Sequence, residues 1–395
     1  MLWVSGFCVG QLLPKAHQFI AETCFRRLPR RKKNQTRNYS TQLFGANPYL
    51  YCFLIYIALN IYKMRKLLVC ICALFASQLV KAQDPHFSQF FASPLTLNPA
   101  FTGKFSGTWR LAANHRDQWP SIPKAYVTTS ASLDFPILKS KVPEKDVFGV
   151  GISGLTDASA NKILKLNYGS VSMSYHKALD ENGYSTIGAG FQATYSSLSL
   201  DNGKLTFSDM LTQNGFTGPT AEVISINNKS YFDINAGLLY SGSTNGENNF
   251  YLGASMYHIN RPKVGFQDKN WYLSGRISAH AGGSFPVSDL ITLHVSAIHQ
   301  MQNKASETTL GAAIAANLSQ DAEKPSAIYI GSWIRLNDAI VPYLGLEFGG
   351  LRVGVSYDFN ISNLKAATQS RGGSEFSIIF IKRPADYQGI PCPKF

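Results

Sequence analysis

After residue 106 the chain alternates apolar and polar positions with a period of two, in short runs broken by Gly, Asn, Asp and Pro. In the clearest run Leu351, Val353, Val355, Tyr357, Phe359 and Ile361 share one face, and Arg352, Gly354, Ser356, Asp358 and Asn360 the other. A second sets Ile187, Ala189, Phe191, Ala193 and Tyr195 against Gly188, Gly190, Gln192, Thr194 and Ser196. No long stretch with the helical period of 3.6 follows residue 82, so the pattern predicts an all-β protein.

The runs predict strands near residues 107–117, 124–135, 147–157, 164–177, 184–199, 231–241, 249–259, 271–285, 290–300, 307–317, 326–336, 340–348, 351–361 and 374–382. Strands of about ten residues with aromatic ends, and small or polar residues opposite the apolar face, suit a wall with lipid outside and a packed or wet interior. A soluble sandwich also alternates, so the export signal described below tips the balance. The expected fold is therefore a transmembrane antiparallel β-barrel of about 14 strands spanning 107–384, preceded by a signal peptide.

An even strand number puts both ends in the periplasm, with short turns inside and long loops outside. Residues 179–183, 242–248, 286–289 and 349–350 fall where inner turns belong, and 201–230, 260–270 and 362–373 where outer loops belong. Connections 139–146 and 319–325 are long for inner turns, and the one before Ile340 is short for an outer loop.

The stretch MRKLLVCICALFASQLVKA, residues 64–82, has a basic start, an apolar centre and small residues before the cut, as a secretory signal peptide does. Cleavage after Ala82 would make Gln83 the first mature residue. Residues 1–63 lie upstream of this complete signal and are expected to be an extension from a start codon placed too early. Residues 83–106 are then expected as a periplasmic N-terminal segment and 385–395 as a periplasmic tail.

The whole chain carries a formal charge of +13, which invites a nucleic-acid partner. Its location removes that reading: residues 1–82 hold twelve of the 37 basic residues and one of the 24 acidic ones, leaving 25 against 23 in the body. A balanced body without a basic stripe offers no counterion release to a phosphate backbone. Five of the six cysteines also precede residue 83, so Cys392 has no partner for a disulfide or metal site in a mature chain. The histidines lack ligand spacing, no nucleophile elbow, P-loop or dinucleotide loop occurs, and neither an enzyme nor a cofactor is expected.

Several separate strings, in order along the body, resemble the PorP/SprF family of the type IX secretion and gliding machinery. They are QDPHFSQFFASPLTLNPAFTG from Gln83 to Gly103, RDQW from Arg116 to Trp119, LGASMYHINRP from Leu252 to Pro262, YDFNISNL from Tyr357 to Leu364, GGSE from Gly372 to Glu375, and the closing CPKF. The resemblance implies a Gram-negative outer-membrane barrel serving secretion, gliding motility or display of a large surface adhesin. It implies periplasmic ring or peptidoglycan-linked partners, an exported adhesin and outer-membrane lipid. A passive outer-membrane channel for small ligands is the alternative, favoured by an open polar bore and opposed by a plugged one.

The candidate docking or family-motif residues are Asn98, Pro99, Phe101, Arg116, Trp119, Tyr357, Asp358 and Asn360. The segment from Asn98 to Phe101 reads either as a partner hook or lower plug, or as a turn into the first strand, since Pro99 holds Asn98 extended. Trp119 and the other aromatics serve either stacking or the interfacial girdles. Arg116 with Asp117, and Arg352 with Asp358, either select ions or fill a polar lumen.

Overall fold

The computed structural model describes residues 84–122, 125–137, 143, 145–222, 228–265, 270–319 and 326–383. The expected extension, the signal peptide, most of connections 139–146 and 319–325, and the tail with Cys392 lie outside the described residues.

The strands are β1 (Trp109–Gln118), β2 (Tyr126–Ile137), β3 (Val147–Ser159), β4 (Leu164–Ala178), β5 (Thr186–Leu200), β6 (Leu211–Thr212), β7 (Gly215–Phe216), β8 (Asn228–Ser243), β9 (Asn249–Tyr257), β10 (Arg276–Ser288), β11 (Ile291–Gln302), β12 (Ala305–Ser319), β13 (Ser326–Arg335), β14 (Ala339–Phe348), β15 (Leu351–Asn360) and β16 (Arg371–Lys382). Fourteen of them close an antiparallel barrel in chain order; β6 and β7 form a small separate ladder in the longest outer loop. Closure comes from β1 on β16, with Trp109 opposite Lys382 and Gln118 opposite Gly373, so no barrel edge is left unpaired.

The period of two sorts side chains as expected. On β5, Ile187, Phe191 and Tyr195 face out, while Gln192, Thr194 and Ser196 are buried inside. On β15, Leu351, Val353 and Phe359 face out, while Arg352, Ser356, Asp358 and Asn360 are buried. The outward apolar belt meets lipid, which makes its exposure favourable.

One expected strand starts late. The run 271–285 begins pairing only at Arg276, because Trp271 and Leu273 bond the outer loop instead: Val264 N donates to Trp271 O at 2.8 Å and Leu273 N to Pro262 O at 2.9 Å. β9 ends at Tyr257, where His258 adopts φ 60 and turns the chain. Outer connections are uneven: 201–227 and 258–275 are long, but 160–163, 303–304 and 336–338 are tight turns.

The largest departure concerns residues 84–106, expected in the periplasm. They run inside the barrel from its outer end at Asp84 down to β1 at the inner end. The segment folds as two 3-10 turns, Phe90–Ala92 and Pro99–Phe101, around the helical turn Pro94–Leu97. Pro94 and Pro99 open their turns, where the missing N–H costs nothing. Asn98 caps the second turn, its side chain accepting from Ala100 N at 2.8 Å. Repeated prolines and short turns prevent this stretch from continuing as a strand.

The apolar side chains of the segment make the barrel's hydrophobic centre. Phe90, Phe91, Leu97 and Phe101 cluster with Leu239, Tyr251, Trp333, Val341 and Tyr343 of the wall. Phe91 lies 4.8 Å from the Trp333 ring and edge-on to Tyr343 at 5.5 Å, and Phe101 meets Tyr251 edge-on at 5.5 Å. The fold is therefore a stoppered barrel whose core is the plug.

Candidate functional site

Most backbone groups of the plug lie away from water and need partners from the inward faces of the strands. Glu375 on β16 accepts from Ser88 N and Gln89 N, both at 2.8 Å. Tyr257 and Gln192 both donate to Leu95 O, and Ser255 Oγ donates to Leu97 O at 2.7 Å. Asp134 accepts from Gly103 N at 2.7 Å while bound in a two-point pair to Arg110. The wall thus supplies side-chain acceptors and donors where a sheet would supply backbone.

The strongest fastening is ionic. Asp358 on β15 accepts from Ser88 Oγ at 2.9 Å, from Arg116 Nη2 at 2.8 Å and from Arg335 Nη2 at 2.5 Å. Arg116 also donates to His86 O at 2.7 Å, so one β1 guanidinium ties the plug backbone to β15. All three charged side chains are 2% exposed, and their pairing is what makes such burial tolerable.

Glycines on the wall shape the seat of Asn98. A Cβ built on Gly237 would overlap Asn98 Oδ1, and one on Gly190 would overlap the Pro99 and Ala100 backbone. In that seat Asn98 Nδ2 donates to Leu238 O at 3.0 Å. Close approach of plug and wall requires glycine here.

Of the candidate residues, Asn98, Pro99 and Phe101 sit in the plug, and Arg116 and Asp358 form one ion pair between β1 and β15, over the inward face of β16. Asn360 is buried and donates to Asp338 Oδ1 at 3.2 Å at the outer end. Trp119 turns there with φ 56, edge-on to Tyr126 at 5.4 Å. Tyr357 shares the lipid side with Phe359, 4.9 Å away, and stands apart from the rest. Glu375, Arg335, Asp134, Gly190 and Gly237 join the site although no local pattern in the sequence marks them; each is a charged or glycine residue at an inward strand position, the signal that a lumen is filled.

Above the plug, at the outer end, lies a cavity of about 800 Å³ lined in part by Asp84, Trp119, Tyr126, Asp157, Tyr231 and His258. Its floor is the first residue of the described plug. Asp84 N donates to Gln302 Oε1 at 2.7 Å, and Asp84 Oδ2 lies 2.6 Å from His258 Nε2. The other imidazole nitrogen is 2.7 Å from Asp233 Oδ2. Burial by itself would lower the His258 pKa, but the carboxylates on both nitrogens outweigh it and raise the value to about 9. Burial opposes ionisation of Asp84 too, yet His258 and then Arg276 bring it down to about 2. Among the described residues no group of three His, Cys, Asp or Glu could hold a metal ion.

The sequence profile of the PorP/SprF type IX secretion system membrane proteins matches residues 79–380. The chain belongs to the PorP/SprF family. This PorP/SprF barrel is accordingly an outer-membrane protein of type IX secretion, in a family of membrane secretion proteins. No curated protein sequence matches it. Among solved structures, the Ralstonia pickettii toluene transporter TbuX is 10% identical with a TM-score of 0.42, over 74% of this chain and 93% of that one. A Pseudomonas aeruginosa FadL homologue is 12% identical with a TM-score of 0.35, over 71% and 91%. BamA from Haemophilus ducreyi lacking POTRA domains 1–3 is 9% identical with a TM-score of 0.37, over 70% of each chain.

Proposed function

We propose that this PorP/SprF barrel serves type IX secretion as a docking platform, receiving an exported surface adhesin at its outer vestibule and loops. Its inner turns and chain ends would meet ring or peptidoglycan-linked proteins of the periplasm. The plug is the observation that carries this reading. A lumen occupied by residues 84–106 and fastened by buried charge pairs opposes free passage of solute, which favours the two ends as the working surfaces. The same feature weighs against the passive-channel alternative.

The signal-peptide reading of residues 64–82 also draws support from the plug. Asp84 sits at the outer end of the lumen, so a retained leader could not stay in the inner membrane while the plug is seated. The mature N-terminus expected by mass spectrometry is Gln83.

The test is a photocrosslinking side chain placed at Tyr126, which lines the vestibule, followed by mass spectrometry of the captured proteins from intact cells. Capture of one exported multidomain adhesin supports docking. A barrel that captures none and conducts ions in a planar bilayer would favour the channel.

A further inference from the structure

The ring of strands is closed, but at the outer end β8 rises well above its neighbour. It is 16 residues long and β9 is nine, and the two pair from Ala236 opposite Met256 to Ser243 opposite Asn249. On its other side β8 stays paired with β5 as far as Asn228, opposite Ser199. The stretch 228–233 is therefore held along one side, and among the described residues no strand pairs with the other.

The direction of its backbone groups follows from the ladder. Residues of an antiparallel strand turn their N–H and C=O alternately toward the two neighbours. Ile234 turns both away from β5: its N donates to Asn260 Oδ1 at 3.2 Å, and its O accepts from Ile259 N at 3.0 Å. Phe232, Ser230 and Asn228, at steps of two, face the same way. Asn260 Nδ2 still reaches Phe232 O at 2.8 Å, and there the cover stops. Among the described residues, the Phe232 N–H and both backbone groups of Ser230 and Asn228 are left open on that side. The described parts of the two long outer loops bond within themselves instead, Val264 N to Trp271 O, Leu273 N to Pro262 O, and β6 to β7.

Donors and acceptors that recur every second residue, about 6.8 Å apart, call for another extended backbone; an ion or a headgroup would meet them at one point. The open stretch is continuous with the vestibule, since Tyr231 and Asp233 on its inward side line the cavity above the plug. Its outward side carries Phe232, 69% exposed, with the Tyr195 ring 5.4 Å away. We propose that an extended segment of the docked adhesin adds itself to β8 as an extra strand alongside residues 228–233. The added strand pairs its backbone with Ser230, sets an aromatic or β-branched side chain beside Phe232, and turns its alternate side chains toward Tyr231 in the vestibule.

Strand addition deepens the docking reading and rests on it, yet the two fail separately. The experiment purifies the affinity-tagged full-length barrel from outer membranes in mild detergent and quantifies the co-purified adhesin by mass spectrometry. Ser230→Pro removes an edge N–H that β5 does not use, a change a strand edge tolerates, whereas Ser230→Ala removes the side chain and keeps the backbone. Adhesin recovery should fall about tenfold or more with Ser230→Pro and match the parent with Ser230→Ala, both barrels keeping heat-dependent gel mobility. Undiminished recovery with Ser230→Pro, or an equal fall with both variants, overturns strand addition while docking stands. A parent barrel that brings down no adhesin overturns the docking reading, and strand addition with it. If the proline barrel does not fold, hydrogen exchange of the parent decides. The Ser230 and Phe232 amides should exchange about tenfold or more slowly in the adhesin complex than in the barrel alone, with the Tyr231 amide, bonded to β5, protected in both. Equal exchange in the two states overturns the proposal, as does protection in the barrel alone that grows with its concentration, which assigns the edge to a second copy.

Discussion

Asp358→Asn keeps the shape of the side chain and removes the charge that two buried guanidinium groups share. The structure separates their fates. Arg335 retains Asp338, whose Oδ2 lies 2.6 Å from its Nε, so it stays paired. Arg116 loses its paired carboxylate and keeps the His86 carbonyl at 2.7 Å, with Glu375 and Glu307 still near enough to interact with it electrostatically. Loss of one direct buried pair, softened by these neighbouring carboxylates, sets the magnitude at the low end of the usual range, about 3 kcal/mol. Because the Ser88 hydroxyl also loses a charged acceptor, that penalty falls on the seated plug, and release should rise about a hundredfold. The assay is thiol labelling of a Ser93→Cys reporter in a Cys392→Ser background; Ser93 is buried in the plug and replaced nearly isosterically. The double variant Asp358→Asn with Arg116→Met should recover most of the loss, since removing both partners of a buried pair is far milder than removing one. A labelling rate within about threefold of the parent, or a double variant worse than the single one, would refute the argument that charge pairing seats the plug.

Three further outcomes follow from other parts of the barrel. His258 has its pKa raised to about 9, so its contribution is full below the unfolded value near 6.5 and disappears as pH climbs through about 9. Asp84, lowered to about 2, contributes above the unfolded value near 3.8 and loses this as pH falls through about 2. The protection factors against hydrogen exchange in residues 84–88 should therefore be highest between about pH 4 and 6.5 and fall toward pH 10, and His258→Gln should flatten that fall. Gly237→Ala should lift Asn98 from its seat at a cost of about 1–3 kcal/mol, seen as faster Ser93→Cys labelling in a barrel that still shows heat-dependent gel mobility. Ile234→Lys, on the lipid face of β8, should cost the barrel about 2–4 kcal/mol in urea-induced unfolding while leaving plug labelling unchanged.

The wall was legible because the bilayer enforces it: every strand must show apolar groups to lipid at alternate positions, and Phe191 or Val353 betray their side without knowledge of any neighbour. The plug carries no such imprint. Its turns are three or four residues long, and its satisfaction comes from partners far along the chain, such as Ser88 and Asp358, 270 positions apart. What the sequence did hold was a set of separate strings, the NPAF, RDQW and YDFN stretches, each open to several readings. The structure joins them physically: Arg116 of the second meets Asp358 of the third 242 positions away, and both hold the segment that carries the first. These strings are then one fastening seen in three places, which explains why no single one pointed to a partner. It also constrains function, because the plug's outer end at Asp84 is the floor of the vestibule. A partner docked there, as proposed, would read a surface whose position depends on charge pairs deep in the lumen, so a change in any one string should disturb the outer face without touching it.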